Sequence, residues 1–158
     1  MSKIVLVEAN GQDAETIVRV LHAAFAEYRG VLNPPSGAHN ESVASVRARM
    51  QTARWVLAET AVERRTVGCV LYEPHTEFMY LGRLAVLPEF RGRGIGNALI
   101  EYVEKKARQA GYTRVRLGVR VVLDAMRAAY ERRGYRFVEA HAHEGFETPT
   151  YVMLEKEL

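Results

Sequence analysis

Three glycines and two arginines alternate in residues 91–96, Arg-Gly-Arg-Gly-Ile-Gly, where an apolar run ends and a helical pattern begins. The free N–H groups and the dipole at the start of a helix attract anions. Glycine lets a phosphate approach the backbone closely, because it has no side chain to obstruct the approach. The spacing therefore predicts a phosphate-binding loop between a strand and a helix.

Two familiar phosphate-binding loops do not match this segment. A P-loop continues after its last glycine with Lys and then Ser or Thr, whereas Asn97 and Ala98 follow Gly96 here. A dinucleotide fingerprint has the spacing Gly-x-Gly-x-x-Gly and an acidic residue at the end of the next strand, but residues 113–120 contain no acid. Taken alone, the loop is a phosphate site of another kind or a glycine-rich turn with solvated arginines.

The elements that position this loop follow from hydrophobic periodicity. Apolar residues at helical spacing predict helices over 12–29, 41–53, 94–110 and 123–133, and apolar runs predict strands over 3–9, 54–60, 66–73, 78–87, 113–119, 135–142 and 150–158. Hairpins precede a βαβ unit, which implies an α/β fold with a mixed central sheet of about seven strands and about four flanking helices. No linker divides the chain, so we expect residues 1–158 to form a single domain.

Composition and charge narrow the function classes. The 22 Lys and Arg residues against 19 Asp and Glu give a net charge of +3, with most arginines in the second half, which suits a small anionic ligand better than nucleic acid. A single cysteine, Cys69, allows no internal disulfide, in keeping with a reducing compartment. The apolar run at the N-terminus is too short for a signal peptide or a membrane span, so we expect a cytoplasmic protein without a membrane partner.

The segments around the loop carry a family resemblance. Residues 83–112, RLAVLPEFRGRGIGNALIEYVEKKARQAGY, closely resemble the central motif of the GNAT N-acetyltransferase superfamily, Arg/Gln-x-x-Gly-x-Gly/Ala after a strand of the form Leu-x-Val-x-Pro. The matching positions are Val86, Pro88, Arg91, Gly94 and Gly96. A later segment, AAYERRGYRF at 128–137, resembles the family's LYEKLGF element, and the two together extend the resemblance over nearly the whole chain.

The resemblance implies that the chain binds acetyl-coenzyme A. In the family, backbone N–H groups of the loop hold the pyrophosphate, and the preceding strand pairs with the amide-bearing pantetheine arm as it would with an added strand. The residues implied as cofactor-binding are Leu84, Ala85, Val86, Arg91, Gly92, Arg93, Gly94, Ile95, Gly96 and Asn97. Arg91 and Arg93, with Arg127 or Arg133, would add positive charge around the phosphates.

The resemblance also implies a reaction, the transfer of the acetyl group to a primary amine by direct attack in a ternary complex. Tyr130 stands where the family often has the tyrosine that protonates the leaving thiolate, and the alternative is a tyrosine that only packs. The backbone N–H of Val86 is expected to stabilise the thioester oxygen. Glu77 is the candidate base, with Glu73 and Tyr80 left open, because a β-bulge expected in this region hides which side chains face the site.

The sequence carries no family motif for the acceptor site, because this site varies within the family. The residues expected to line it are Tyr28, Ser36, His39, Tyr80 and His143. The acceptor stays open between a small-molecule amine and an amino group of a peptide or protein. His141 and His143 have no further ligands at metal-binding spacing, so no metal is expected.

One position departs from the family pattern. Leu123 stands where many relatives have a cofactor-contacting asparagine, and Asp124 is expected to cap the following helix.

The sequence leaves a second function and the assembly open. The alternative function is a CoA-binding regulatory domain with little catalysis. Monomer and homodimer are both compatible with the sequence.

Overall fold

The chain folds around one mixed sheet, seen in a computed structural model that describes residues 3–158. Its strands are β1 (Ile4–Glu8), β2 (Arg54–Thr60), β3 (Thr66–Pro74), β4 (Met79–Val86), β5 (Arg114–Arg120), β6 (Arg136–His141) and β7 (Tyr151–Glu157). The α-helices are α1 (Ala14–Phe25), α2 (Val43–Arg49), α3 (Ile95–Gln109) and α4 (Asp124–Arg132). The predicted α/β class and the predicted order of strands and helices are confirmed.

The strand order in the sheet is β1-β2-β3-β4-β5-β7-β6. Each pair of neighbours runs antiparallel except β4 and β5, which are parallel because the helix α3 carries the chain back between them. Every residue of β3 from Val67 to Tyr72 is buried, so the sheet is covered on both faces at its centre.

The two central strands β4 and β5 pair at one end and separate along the rest of their length. They pair only at Met79–Val115 and Tyr80–Arg116. Beyond these pairs both strands continue, β4 through residues 81–86 and β5 through residues 117–120, without pairing to each other. A fork therefore opens between their carboxyl ends, and it leaves one edge of β4 with backbone groups free to pair.

A β-bulge interrupts β4 inside this fork. Cys69 of β3 pairs with Ala85, but Leu71 pairs with Gly82, so β4 has one extra residue over this stretch. Arg83 takes up the extra residue with a φ of 52°, a left-handed conformation that a bulge imposes. The bulge expected from the family resemblance is confirmed.

Local sequence signals mark several of the helix ends. Ser42 caps α2, because its Oγ accepts from the N–H of Ser45 at 3.1 Å while the N–H of Ser42 donates to the Oγ of Ser45 at 2.8 Å. Gly111 and Gly134 follow α3 and α4 with φ of 88° and 101°, as expected of glycine after a helix.

Three local expectations are corrected. Asp124 is the first residue of α4 rather than its cap, and the capping residue Leu123 makes no side-chain hydrogen bond. The helix predicted over 12–29 is a shorter α1 between two 3₁₀ turns, and Gly30, with φ of 75°, ends the helical path. The helix predicted over 41–53 is reduced to Val43–Arg49.

The helices α1 and α3 bury one stripe each against the central strands. In α3 the buried residues are Ile95, Leu99, Ile100, Val103, Glu104 and Ala107. No helix within residues 3–158 is long and apolar enough to cross a membrane.

Candidate active site

The fork between β4 and β5 opens into a cavity of about 1040 Å³. Its walls come from β4, β5, the first turn of α3, α4, the segment after α1 and the segment between β6 and β7. The polar and charged side chains that line it are Tyr28, Ser36, Tyr80, Arg83, Asn97, Arg120, Tyr130, Arg133, His143, Glu144 and Tyr151. The fold thus gathers into one place residues that lie more than a hundred positions apart in the chain.

The glycine-arginine loop ends at the mouth of this cavity, where Gly96 and Asn97 form part of the wall. The helical hydrogen bonds of α3 begin with the N–H of Ala98, which donates to the carbonyl of Gly94 at 3.0 Å. Within residues 3–158, the N–H groups of residues 92–97 donate to no other group of the protein. This row of free amides at a helix N-terminus is the arrangement that binds a phosphate group.

The space above the loop is open. A Cβ atom added at Gly92 or Gly94 would have no neighbour within 4 Å, and one added at Gly96 would meet only Cγ2 of Val86, at 3.9 Å. Gly92 and Gly94 also have φ of 78° and 81°, which other residues adopt at a cost. The loop therefore fits a pyrophosphate on two counts, free donors and free space.

The two arginines of the loop are exposed, but both bond to other groups of the protein. Arg91 donates to the carbonyl oxygens of Ala24 at 3.0 Å and Val86 at 3.2 Å, and its Nη1 lies 2.6 Å from Oε1 of Glu27. Arg93 donates to the carbonyl of Glu89, in the turn before the loop. Neither side chain lines the cavity, so the structure gives Arg91 the task of tying the loop to the end of α1.

Another arginine does face the cavity. Arg133 lines the wall, its Nη2 lies 3.2 Å from Oε1 of Glu101, and its Nε is buried without a hydrogen-bond partner among the described residues. A buried guanidinium nitrogen without a partner is costly, so a ligand acceptor at this point would be favoured.

Tyr130 lines the cavity, and its ring also packs against a neighbouring tyrosine. Its ring meets the ring of Tyr135 edge to face, with centroids 5.9 Å apart. Burial, with the neighbouring phenols of Tyr80 and Tyr28, raises the pKa of Tyr130 well above its usual range. A tyrosine hydroxyl is protonated at neutral pH even at its ordinary pKa, and burial strengthens its hold on the proton.

The structure does not bring Glu77 to this cavity. Glu77 is exposed in the turn between β3 and β4, on the paired side of the fork. Glu73 is held elsewhere, because Thr52, Arg49 and His75 lie within 2.8, 3.2 and 2.9 Å of its carboxylate. Of the three base candidates, only Tyr80 lines the cavity, and burial raises its pKa.

His143 lines the same cavity and has the features of a proton acceptor. Its backbone N–H donates to Oγ1 of Thr150 at 2.9 Å, and its Nδ1 is hydrogen-bonded to the same oxygen. If the Thr150 hydroxyl donates to the carbonyl of His141, at 3.4 Å, its oxygen accepts from Nδ1–H of His143, and Nε2 then keeps its lone pair. Burial and the nearby charge of Arg120 lower the pKa of His143, so the ring is neutral at pH 7.

Most of the predicted acceptor residues meet in the cavity. Tyr28, Ser36, Tyr80 and His143 line it, although the Ser36 Oγ already accepts from the N–H of Ala38 at 3.2 Å. His39 does not line it, and both ring nitrogens are buried without a partner among the described residues.

Sequence reasoning missed Arg120 and Tyr151 in the cavity wall. A signal for Arg120 was present, since it ends a strand beside a parallel neighbour, where side chains meet at one edge of a sheet. Tyr151 reaches the wall only because β7 pairs with β5 in the register Tyr151–Arg120, which local sequence does not specify. Within residues 3–158, no group of three or more His, Cys, Asp or Glu residues is arranged to hold a metal ion.

Comparisons with known proteins agree with this geometry. Residues 19–135 match the sequence model of the acetyltransferase (GNAT) family. The uncharacterized N-acetyltransferase YesJ of Bacillus subtilis (strain 168) is 36% identical over 84 residues. That match covers 53% of this chain and 43% of YesJ, so the chain spans less than half the length of this curated relative.

Solved structures share the whole fold. The PaiA N-acetyltransferase of Thermoplasma acidophilum, crystallised with coenzyme A, has a TM-score of 0.79 at 19% identity, over 99% of both chains. A GNAT family acetyltransferase of Elizabethkingia anophelis with acetyl-CoA bound has a TM-score of 0.68 at 18% identity, over 100% of both chains. At these identities the likeness establishes the fold, and it confirms the predicted GNAT architecture.

Proposed function

This chain belongs to the GNAT acetyltransferase family, and on that premise we propose that it transfers the acetyl group of acetyl-coenzyme A to a primary amine. The family match and the neighbours solved with coenzyme A or acetyl-CoA support this activity. The observation that carries the proposal is the row of free amides at residues 92–97, which ends at a forked cavity of about 1040 Å³. A long anionic molecule with amide groups along its length matches both features.

Acetyl-coenzyme A would lie along the loop and the free edge of β4. The amides of residues 92–97 would hold the pyrophosphate, and Arg133 would meet a phosphate from the cavity wall. The unpaired edge of β4 near residues 84–86 would hydrogen-bond the pantetheine amides. When bound, the molecule supplies the acetyl thioester on which the reaction depends.

Tyr130 is the proposed proton donor. Its phenol is protonated at neutral pH, since even the ordinary pKa of a tyrosine lies near about 10. The sulfur of coenzyme A leaves as a thiolate when its bond to the acetyl group breaks, and the Tyr130 hydroxyl would donate its proton to that sulfur. Tyr130 lines the same cavity as Leu84 and Asn97, two of the residues expected to bind the cofactor, which supports a role for its hydroxyl on the cofactor side.

His143 is the proposed proton acceptor, which revises its expected role from substrate contact to base. The attacking amine must lose a proton, and Nε2 of His143 holds the only imidazole lone pair lining the cavity among the described residues. Its ring packs at a tilt against the ring of Tyr151, with centroids 5.0 Å apart, which limits its rotation. Tyr130 and His143 thus give the cavity a donor and an acceptor on different elements, with direct attack of the amine between them.

A change at Gly96 tests the cofactor site. Gly96→Val would place a side chain in the space reserved for the pyrophosphate, while the unliganded fold has room for it. Calorimetric titration with acetyl-CoA should show a dissociation constant raised about tenfold or more. Gly11→Val is the matched control, because Gly11 also has open space around it but lies outside the cavity. Equal affinity of the two variants for acetyl-CoA would rule out the loop as the phosphate site.

An amine panel tests the activity itself. Thiol release from acetyl-CoA should rise with at least one primary amine among amino acids, peptides, polyamines and aminoglycosides. Tight acetyl-CoA binding without turnover of any amine would instead favour a CoA-binding regulatory domain.

A further inference from the structure

Two of the three arginines that line the cavity are paired with carboxylates of the protein. Arg83 is paired with Glu41 at 2.9 Å and Arg133 with Glu101 at 3.2 Å. Arg120, by contrast, has no carboxylate within 4.0 Å among residues 3–158. The cavity therefore contains one guanidinium whose charge no acidic side chain neutralises.

The guanidinium of Arg120 is held in a fixed orientation. Its Nη1 donates to the carbonyl of Pro34 at 2.7 Å and its Nη2 to the carbonyl of Pro35 at 3.2 Å. These bonds use two of the five N–H donors of an arginine, so others stay free. A planar guanidinium with a fixed orientation and free donors is the preferred partner of a carboxylate, which it binds in a two-point fashion.

Arg120 lies beside the proposed base. It pairs in register with Tyr151 across the sheet, and the His143 ring lies 5.0 Å from the ring of Tyr151. An anionic group bound at Arg120 would therefore lie next to His143. Glu144 lines the same cavity, is exposed and has no ion pair in the described chain, so it favours a positive charge there.

We propose that Arg120 binds a carboxylate of the acceptor, so that the acceptor is a compact amino-carboxylate such as a free amino acid. This inference rests on the proposed acetyltransferase function. The amino group of such a molecule lies one or two bonds from its carboxylate-bearing carbon, which brings it to His143 while the carboxylate stays on Arg120. In this arrangement the carboxylate of the acceptor contacts Arg120, and its amino group contacts His143.

A purely structural role for Arg120 is the competing explanation, since it ties the segment 34–35 to β5. The two explanations differ in how the enzyme treats a matched pair of acceptors. We would measure kcat/KM for amino acids and for the corresponding amino acid carboxamides, in which only the carboxylate is neutralised. Removal of a structural tie should lower both values by the same factor, whereas removal of a carboxylate site should lower the value for the amino acid more than the value for its carboxamide.

The test compares Arg120→Gln and Arg120→Lys with the unchanged chain. We expect the unchanged chain to prefer the amino acid, and Arg120→Gln to lose about tenfold or more of that preference. The acid and its carboxamide differ in amine pKa, but that difference is the same for every variant and cancels in the comparison. Arg114→Gln is the matched control, because Arg114 begins the same strand, pairs with Glu155 and does not line the cavity.

The outcomes separate this inference from the function on which it rests. Turnover of amines that lack a carboxylate, with no preference for amino acids in the unchanged chain, overturns the inference and leaves the acetyltransferase function standing. A preference that survives in both Arg120 variants also overturns it. A lack of turnover with every amine overturns the proposed function together with the inference.

Discussion

Nε of Arg83 lies 2.9 Å from Oε2 of Glu41, so the bulge of β4 is joined to the segment that precedes α2. The carboxylate of Glu41 also accepts from Oγ of Ser45 at 2.6 Å. Burial acts to raise the pKa of Glu41, but the hydrogen bonds from Ser45 and Arg83 outweigh it and lower the pKa. This ion pair therefore fixes one wall of the cavity, and it exists only because the bulge directs Arg83 toward it.

Glu41→Ala should destabilise the fold. It leaves Arg83 and Ser45 without their acceptor in a half-buried position, which costs about 1–3 kcal/mol of the free energy of unfolding. Urea unfolding followed by circular dichroism measures this value. Glu63→Ala is the control, because Glu63 is exposed and has no ion pair in the described chain, so it should change stability by about 0.5 kcal/mol or less. Equal stability of the two variants would contradict the structural role of the pair.

Tyr130→Phe should separate catalysis from cofactor binding. It removes the proposed proton donor but keeps the ring that packs on Tyr135. We expect kcat to fall about 100-fold or more, with the acetyl-CoA dissociation constant changed by about twofold or less. Steady-state kinetics and calorimetry provide the two values. Tyr112→Phe serves as the control, since the Tyr112 hydroxyl donates to the carbonyl of His75 at 2.6 Å, outside the cavity. Unchanged kcat in Tyr130→Phe would exclude Tyr130 as the donor.

The pH dependence of kcat/KM should report His143. The groups that face its ring are Arg120 from β5, Tyr151 and Thr150 from β7 and its approach, and the adjacent Glu144. Burial and the charge of Arg120 lower the pKa of His143 below its ordinary value of 6.5. After correction for the neutral fraction of the amine, activity should therefore be lost only below pH 6.5, where the ring becomes protonated.

Two variants check the sign of that effect. His143→Gln should lower kcat/KM by about 100-fold and remove the acidic limb of the profile. Arg120→Gln removes a positive neighbour, which should raise the pKa of His143 and shift the limb toward higher pH. A limb that persists unmoved in His143→Gln would assign the titration to another group.

An ion pair with one buried partner should be sensitive to the loss of that partner. Glu104 is buried at 3% exposure, its oxygens lie 3.1 Å from Nζ of the half-buried Lys156, and it accepts from the Tyr135 hydroxyl at 2.9 Å. Glu104→Ala leaves the ammonium of Lys156 and the buried Tyr135 hydroxyl without their acceptor and should cost about 1–3 kcal/mol of the free energy of unfolding. The double variant Glu104→Leu with Lys156→Met should recover much of this loss, since it removes both charges. A double variant as unstable as Glu104→Ala would show that packing rather than charge is at stake.

Local signals in the sequence were enough for the fold. Periodicity identified every strand and α-helix, and the strand over 54–60 agrees to the residue. Glycine at 111 and 134 marked two helix ends, because the left-handed conformation there is a property of a few neighbouring residues. The errors fall at the ends of the helices predicted over 12–29 and 41–53, where short 3₁₀ turns and tertiary contacts replace regular helix.

The candidate site also contains some residues that neighbouring sequence predicts and others that only distant contacts place. The anion-binding loop at 91–97 was visible because its glycines and the helix that follows are contiguous, and its role toward the cofactor stays a prediction. Glu77 was selected for its closeness in sequence to the central strands, but the hairpin turn carries it to the paired side of the fork. The task of Arg91 could not be read from the sequence either, since its partner Ala24 lies 67 positions away.

By itself, the sequence determined the order of elements and predicted an anion-binding loop, because both depend on residues a few positions apart. The tertiary structure alone decided which side chains share the cavity. Strand β4 separates from β5 and bulges at Arg83, and β7 pairs with β5 in one register. Together these features bring Tyr130, Arg120 and His143 to the same cavity. These relationships arise from pairing between distant strands, where a shift of one residue would turn each side chain to the other face.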